Sequence, residues 1–302
     1  MKTTARKPPV EAASGLESFA TGPDGTRLYV RQRVGRGKTV FLLCDGIVCD
    51  GYIYKYLWDD LAEFGSVAHW NYRGHGRSAL PSDPNCIRVT DHARDLDEVR
   101  RHLGDPPVVL VGHSFGTQVA LEGYRLRPDG VRALILISGS FGRVTYTFKG
   151  SDVLANALPQ LIQFVERHPR MARGLWSRIP VSLGLTLARL SGDVNLESVR
   201  AEDMRPYFEH ATHVDFEMFL RMLREAGEHS AEDLLPNVKV PSLIVTGERD
   251  SFTPPALSQA MAQAMPTAEF ALIPAGTHVL PLEEHEQLKR IIAAFLARFP
   301  VE

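Results

Sequence analysis

The chain predicts an α/β protein with a mostly parallel central sheet and helices on both faces, on three observations. Short β-branched or apolar runs recur along it, helical periodicities separate most of them, and its sharpest turn motif sits between one such run and one such helix. The runs are RLYVRQR (27–33), TVFLL (39–43), SVAHW (66–70), PVVLVG (107–112) and VRALILIS (131–138), followed after a long interval by PSLIVTG (241–247) and AEFALIP (268–274). Each is short enough for a strand, and near-continuous apolar character is what a strand covered on both faces requires. Among the helices, Thr90 is expected to cap a segment that carries Leu96, Val99 and Leu103 on one face. The last helix places Leu288, Ile291, Ile292, Phe295 and Leu296 at helical spacing after Pro281.

The alternation stops over residues 141–238. Helical patterns run there from Val153 to Arg167, Val181 to Leu190 and Phe208 to Ala226, with no strand among them. This is the pattern of a helical insertion. Its apolar residues include Phe148, Leu158, Leu161, Phe164, Trp176, Phe216, Met218, Phe219 and Met222. Most are expected to form the insertion's own core, and Phe148, Phe164, Trp176 and Phe219 are the candidates for lining a pocket. The resulting division is a disordered tail (1–14), a core (15–140 with 239–302) and the insertion (141–238).

Composition excludes several classes. With 34 basic against 36 acidic residues in 302, and a formal charge of −2, no sequence-wide field attracts nucleic acid or an anionic membrane. Three cysteines, an odd number in a long chain, suit reduced thiols better than a secreted disulfide framework. The opening MKTTARKPPVEAASG is basic but has no apolar segment of the kind a signal peptide needs, and no run is long enough to span a membrane. The expected compartment is the cytoplasm.

The turn motif is Gly112-His113-Ser114-Phe115-Gly116, lying between the apolar VVLV and a helical pattern with Val119, Ala120, Gly123 and Tyr124. A serine on a sharp strand-to-helix turn projects its hydroxyl clear of the sheet, and the flanking glycines let strand and helix approach closely. The helix N-terminus adds backbone N–H groups where negative charge would develop. A similar stretch, SGSFG around Ser140, fails on context, since Ser138 stands where the turn wants glycine and no helical pattern follows. A serine hydroxyl needs a histidine to take its proton and a carboxylate to orient that histidine. Asp250 in GERD and His278 in GTH follow later strands and complete the chain order Ser, Asp, His. Glu248 is the weaker rival of Asp250. His75 and His113 are expected to be structural, the first in the loop NYRGHGRS and the second on the opposite side of the turn from Ser114.

The segments DGIVCDGY, NYRGHGRS, GHSFG, GERD and GTH together resemble the α/β-hydrolase fold superfamily, in its serine-nucleophile branch with a helical cap after strand six. The likeness runs from about Leu28 to Phe299. It implies that the backbone N–H groups of Ile47 and Phe115 form an oxyanion hole, and that residues 141–238 are the cap. Two positions depart from the pattern: Asp45-Gly46 replaces a common His-Gly, and Asn71 opens a motif that commonly begins with aspartate. Serine at 114 sets the chain apart from relatives with an aspartate nucleophile, such as haloalkane dehalogenases and epoxide hydrolases.

A competing reading of Cys44, Cys49, His69 and His75 is a zinc site, disfavoured because the gap between Cys49 and His69 is too long for a finger and His69 lies in a predicted strand. His210 and His213 are expected on a solvated helix face. The expected activity is therefore hydrolysis of a carboxylic ester, lactone or thioester through an acyl-enzyme, on a small substrate with an apolar portion and without metal or organic cofactor. Acyl transfer, perhydrolysis, carbon-carbon bond hydrolysis and slow-turnover ligand reception use the same constellation and stand as alternatives.

Overall fold

In the computed structural model, residues 15–176, 178, 194–195 and 198–301 are described; the expected tail (1–14) and the helical pattern Val181 to Leu190 lie outside them. Eight strands form one sheet: β1 (Leu16–Thr21), β2 (Arg27–Arg33), β3 (Val40–Cys44), β4 (Ser66–Trp70), β5 (Val108–His113), β6 (Val131–Ile137), β7 (Ser242–Gly247) and β8 (Ala268–Ile273), in the order β1-β2-β4-β3-β5-β6-β7-β8. β1 and β2 are antiparallel to their neighbours, and every pairing from β4 through β8 is parallel. All seven expected strands are present. β1 is an addition, and its single fully buried residue, Ala20, explains why LESFAT carries no apolar signature.

The side-chain period of two divides the core into two layers. Val40, Leu42 and Leu110 pack on one side with α2 (Val89–His102) and α3 (Phe115–Leu126). Phe41, Leu43, Val109 and Val111 pack on the other with Leu57 and Leu61 of α1 (Leu57–Leu61) and with Leu288, Ile292, Phe295 and Leu296 of the last helix (His285–Arg298). β3 and β5 are therefore buried on both faces, as their apolar runs required. Thr90 is not the cap of α2. The helix begins one residue earlier, at Val89, and the Asp91 carboxylate accepts a hydrogen bond from the Arg88 N–H (3.1 Å) across the first turn.

Between β6 and β7 the described residues form helices Val144–Thr147, Val153–Arg167, Pro169–Trp176, Ala201–Ala211 and Phe216–Glu228. The pattern expected from Phe208 to Ala226 is two helices, because Asp215 accepts from the Met218 N–H (3.0 Å) and starts a new one. Leu158, Ile162, Val165, Ala172 and Leu220 form a small core here, with Phe216 and Phe219 packed on it. Met218 and Met222 belong instead to the main core. The ends of this helical segment are tied together by Arg143 N–H to His229 O (3.0 Å) and Ala231 N–H to Phe141 O (2.8 Å).

Candidate active site

Strand order brings the site together. β3, β5, β7 and β8 are parallel, so the loops leaving their C-terminal ends share one edge of the sheet. Ser114 directly follows β5, Asp250 lies three residues past β7, and His278 follows β8. Ser114 has φ 55° and ψ −119°, a conformation that costs roughly 1–3 kcal/mol for a residue with a Cβ. The elbow is held by Ser114 N–H to Ile137 O (3.0 Å) and Thr117 N–H to Ser114 O (3.0 Å). Both motif glycines are sterically required. A Cβ on Gly112 would collide with the Gly116 carbonyl, and one on Gly116 with the Cys44 carbonyl.

The imidazole Nε2 of His278 lies 2.9 Å from Ser114 Oγ, and its Nδ1 lies 3.1 and 3.0 Å from the two Asp250 oxygens. Asp250 is 3% exposed and also accepts from Phe252 N–H (3.0 Å), Thr253 N–H (2.9 Å) and Thr253 Oγ1 (2.9 Å). Four donors so placed hold the carboxylate in one orientation. Glu248 is exposed and makes only a long contact with the Ala275 N–H (3.4 Å). The His278 loop is fixed by buried Glu283, which accepts from both Thr277 N–H and Thr277 Oγ1 at 2.7 Å. Burial raises the Glu283 carboxyl above its usual range.

The loop after β3 abuts the elbow, since a Cβ on Gly46 would lie 3.3 Å from Ser114 Cβ. Cys49 N–H reaches Gly46 O (3.3 Å), which closes a turn over residues 46–49 with Ile47 and Val48 at its centre. Val48 has φ 64°, the left-handed region that such a turn usually fills with glycine. Its N–H donates to His75 Nε2 (3.2 Å), while the opposite nitrogen of His75 donates to Arg73 O (3.0 Å). With the Val48 and Cys49 N–H groups committed, Ile47 carries the next N–H of the turn. Phe115, as the first residue of α3, has no intrahelical acceptor for its own.

The remaining residues around the turn are structural, and several of them the sequence did not reveal. Asp45 is fully buried, and its Oδ2 lies 2.7 Å from Nε2 of His69, also fully buried, on the neighbouring strand β4. Tyr72 Oη donates to the Asp45 carbonyl (2.9 Å) and Tyr54 Oη to the Cys44 carbonyl (2.6 Å). His69, one of the four residues of the zinc reading, thus serves Asp45. Cys44 and Cys49 are buried free thiols, and burial pushes both well above the usual thiol range. His75 and His113 are both buried and held near 4 chiefly by that burial. His113 Nε2 donates to the His278 carbonyl (2.9 Å), which ties the elbow to the His278 loop. Ser140 bonds within its own turn, to Gly142 O (2.6 Å) and from Gly142 N–H (3.0 Å). Asn71 plays the same kind of part, its Oδ1 accepting from Arg77 N–H (3.1 Å).

Of the pocket candidates, Phe148 is linked to His278 through one intervening ring. It meets Phe252 edge to face at 5.0 Å, and Phe252 stacks on His278 at 4.9 Å. Trp176 stacks on Phe216 (4.3 Å) and Phe219 (5.8 Å), with its Nε1–H bonded to Ala211 O (2.9 Å). Phe164 is 44% exposed and faces His168. The expectation of a solvated pair fails at His210, whose side chain is 10% exposed beside Asp50 (3.8 Å) and near the His75 ring (6.0 Å). The helix ends at Ala211, so His213 turns away and bonds to Glu209 O (2.6 Å).

Residues 39–285 match the model of the family described as alpha/beta hydrolase fold. The chain belongs to that family. Its eight-stranded, mostly parallel sheet with surrounding helices is that fold. Among curated relatives, it is 26% identical over 276 residues to polyketide synthase ThaQ of Burkholderia thailandensis, covering 91% of this chain but only 12% of that protein. It is 24% identical to a putative 2-succinyl-6-hydroxy-2,4-cyclohexadiene-1-carboxylate synthase of Bacillus subtilis, covering 91% of this chain and 97% of that one. Among solved structures, an esterase from Exiguobacterium antarcticum superimposes with a TM-score of 0.76 at 20% identity, over 93% of this chain and all of the other. No helix among the described residues is long and apolar enough to cross a membrane.

Proposed function

We propose that the protein is a serine hydrolase that cleaves a carboxylic ester, lactone or thioester through an acyl-enzyme. The observation that carries this reading is the unbroken hydrogen-bonded series from Ser114 Oγ through His278 to Asp250, aligned on a strained elbow. His278 Nε2 takes the Ser114 proton as Oγ attacks the carbonyl carbon, and Asp250 holds the imidazole with Nδ1–H facing it. The oxyanion is received by the N–H groups of Ile47 and Phe115. Their worth lies in being fixed before charge develops, and the strained turn at Val48 supports that role. The same imidazole returns the proton to the leaving group, and water then releases the acid.

The helical segment between β6 and β7 is assigned as a cap, with Phe148, Phe164, Trp176 and Phe219 contributing to a pocket for the substrate's apolar portion. The reaction as written needs no metal or cofactor, and the free thiols of Cys44, Cys49 and Cys86 favour a reducing cytoplasm. p-Nitrophenyl esters of graded chain length, run beside lactones and with competing alcohol and peroxide acceptors, test the reading. Free acid should be the main product, and Ser114→Ala and His278→Ala should each lower kcat by roughly 10³-fold or more. Near-native turnover in either variant would refute the assignment.

A further inference from the structure

The mechanism leaves one aromatic contact unused. Phe252 lies almost parallel to the His278 imidazole, with ring centroids 4.9 Å apart and 21° between planes. Both of its ends are anchored. Its own N–H donates to Asp250 Oδ1 (3.0 Å), and the adjacent Ser251 carbonyl accepts from the Lys149 N–H (2.8 Å). Phe148 then meets the Phe252 ring edge to face at 5.0 Å and 86°. The ring is therefore clamped between the helical segment and the base, and tied by its backbone to the carboxylate that orients that base.

This placement has an electrostatic consequence. The face of a benzene ring carries negative potential and attracts a cation lying over it. His278 is the one group of the triad that becomes positive as the tetrahedral intermediate forms. A face that interacts more strongly with imidazolium than with imidazole favours the transition state over the ground state, which is the requirement for catalysis. Among the described residues, the other ring against His278 is His113, tilted at 50° with centroids 5.2 Å apart. Burial keeps His113 neutral down to about 4, so it adds no repelling charge near neutral pH.

We propose that Phe252 is a positioning residue of the triad, whose π face holds the His278 ring in plane and stabilises the imidazolium formed when Ser114 attacks. This rests on the serine-hydrolase reading and adds to it a residue that lies two positions beyond Asp250. The test replaces Phe252 by 4-fluoro-, 3,5-difluoro- and pentafluorophenylalanine in the full chain. These analogues deplete the negative face stepwise with little change of shape. Phe252→Leu removes the face altogether.

The expected result is a stepwise fall of kcat along the fluorinated series, reaching roughly 3- to 30-fold at pentafluorophenylalanine, with KM little changed and thermal midpoints near wild type. Wild-type kcat throughout the fluorinated series would overturn the proposal, whether or not Phe252→Leu is slow, because a space-filling ring would be indifferent to its charge distribution. Failure of the underlying reading looks different: the wild-type enzyme would then show no dependence on Ser114, and both would fall together. A flat series on an enzyme that does depend on Ser114 removes Phe252 alone.

Discussion

Replacing Asp45 by alanine should be among the most damaging single changes outside the triad. The pair it forms with His69 has no solvent exposure on either side, and the 2.7 Å contact is its only strong one: among the described residues, neither Asp45 Oδ1 nor His69 Nδ1 has a hydrogen-bond partner. Deleting the carboxyl therefore leaves an imidazole with both nitrogens unpartnered in the core. Breaking a buried pair from one side costs about 3–5 kcal/mol. With about 2.1 cal/mol/K of unfolding entropy per residue, a chain of 302 residues should lose roughly 5–8 °C in Tm. The damage should also reach the turn carrying Ile47, because Asp45 directly precedes Gly46. Urea denaturation and calorimetry of Asp45→Ala, His69→Phe and the double variant form the assay. Paired loss predicts that the double variant is less destabilised than the sum of the singles. An Asp45→Ala variant within about 1 kcal/mol of wild type, or strictly additive losses, would refute the argument.

Stability should fall as pH drops from about 6.5 toward about 4. In that window an unfolded histidine binds a proton that buried His75 and His113, both held near 4, do not. Each contributes up to roughly 3 kcal/mol, fully present above the unfolded value and lost as the pH falls to the folded one; equilibrium unfolding at pH 7 and pH 4.5 measures the difference. Gly116→Ala should destabilise the protein by about 1–3 kcal/mol and slow any ester turnover, since its methyl group meets the Cys44 carbonyl; an unchanged Tm would contradict this. Titration with a thiol reagent should find Cys86 reactive in the native protein, and Cys44 and Cys49 only after denaturation.

The features visible in the sequence were those that follow one local rule. Apolar runs marked every strand buried on a face, and GHSFG marked the elbow because the glycines, strand and helix are contiguous. Asp250 and His278 could be placed because each follows a strand and their chain order is constrained. The missed features depend on which residues become neighbours across the sheet. Asp45 reads in the sequence only as a departure from the common His-Gly, and its partner is His69, 24 positions away on β4. Nothing local in the sequence pairs His75 with the Val48 N–H, or Phe252 with the His278 ring. His210 looked solvated because a periodicity shows which residues share a face but not what covers it.

The central claim is that Ser114 is the nucleophile. Incubation of the intact protein with a fluorophosphonate, followed by mass spectrometry of the whole chain and its peptides, tests it most directly. One adduct per chain is expected, located on Ser114 and absent from Ser114→Ala. No adduct, or one on Ser140, would contradict it.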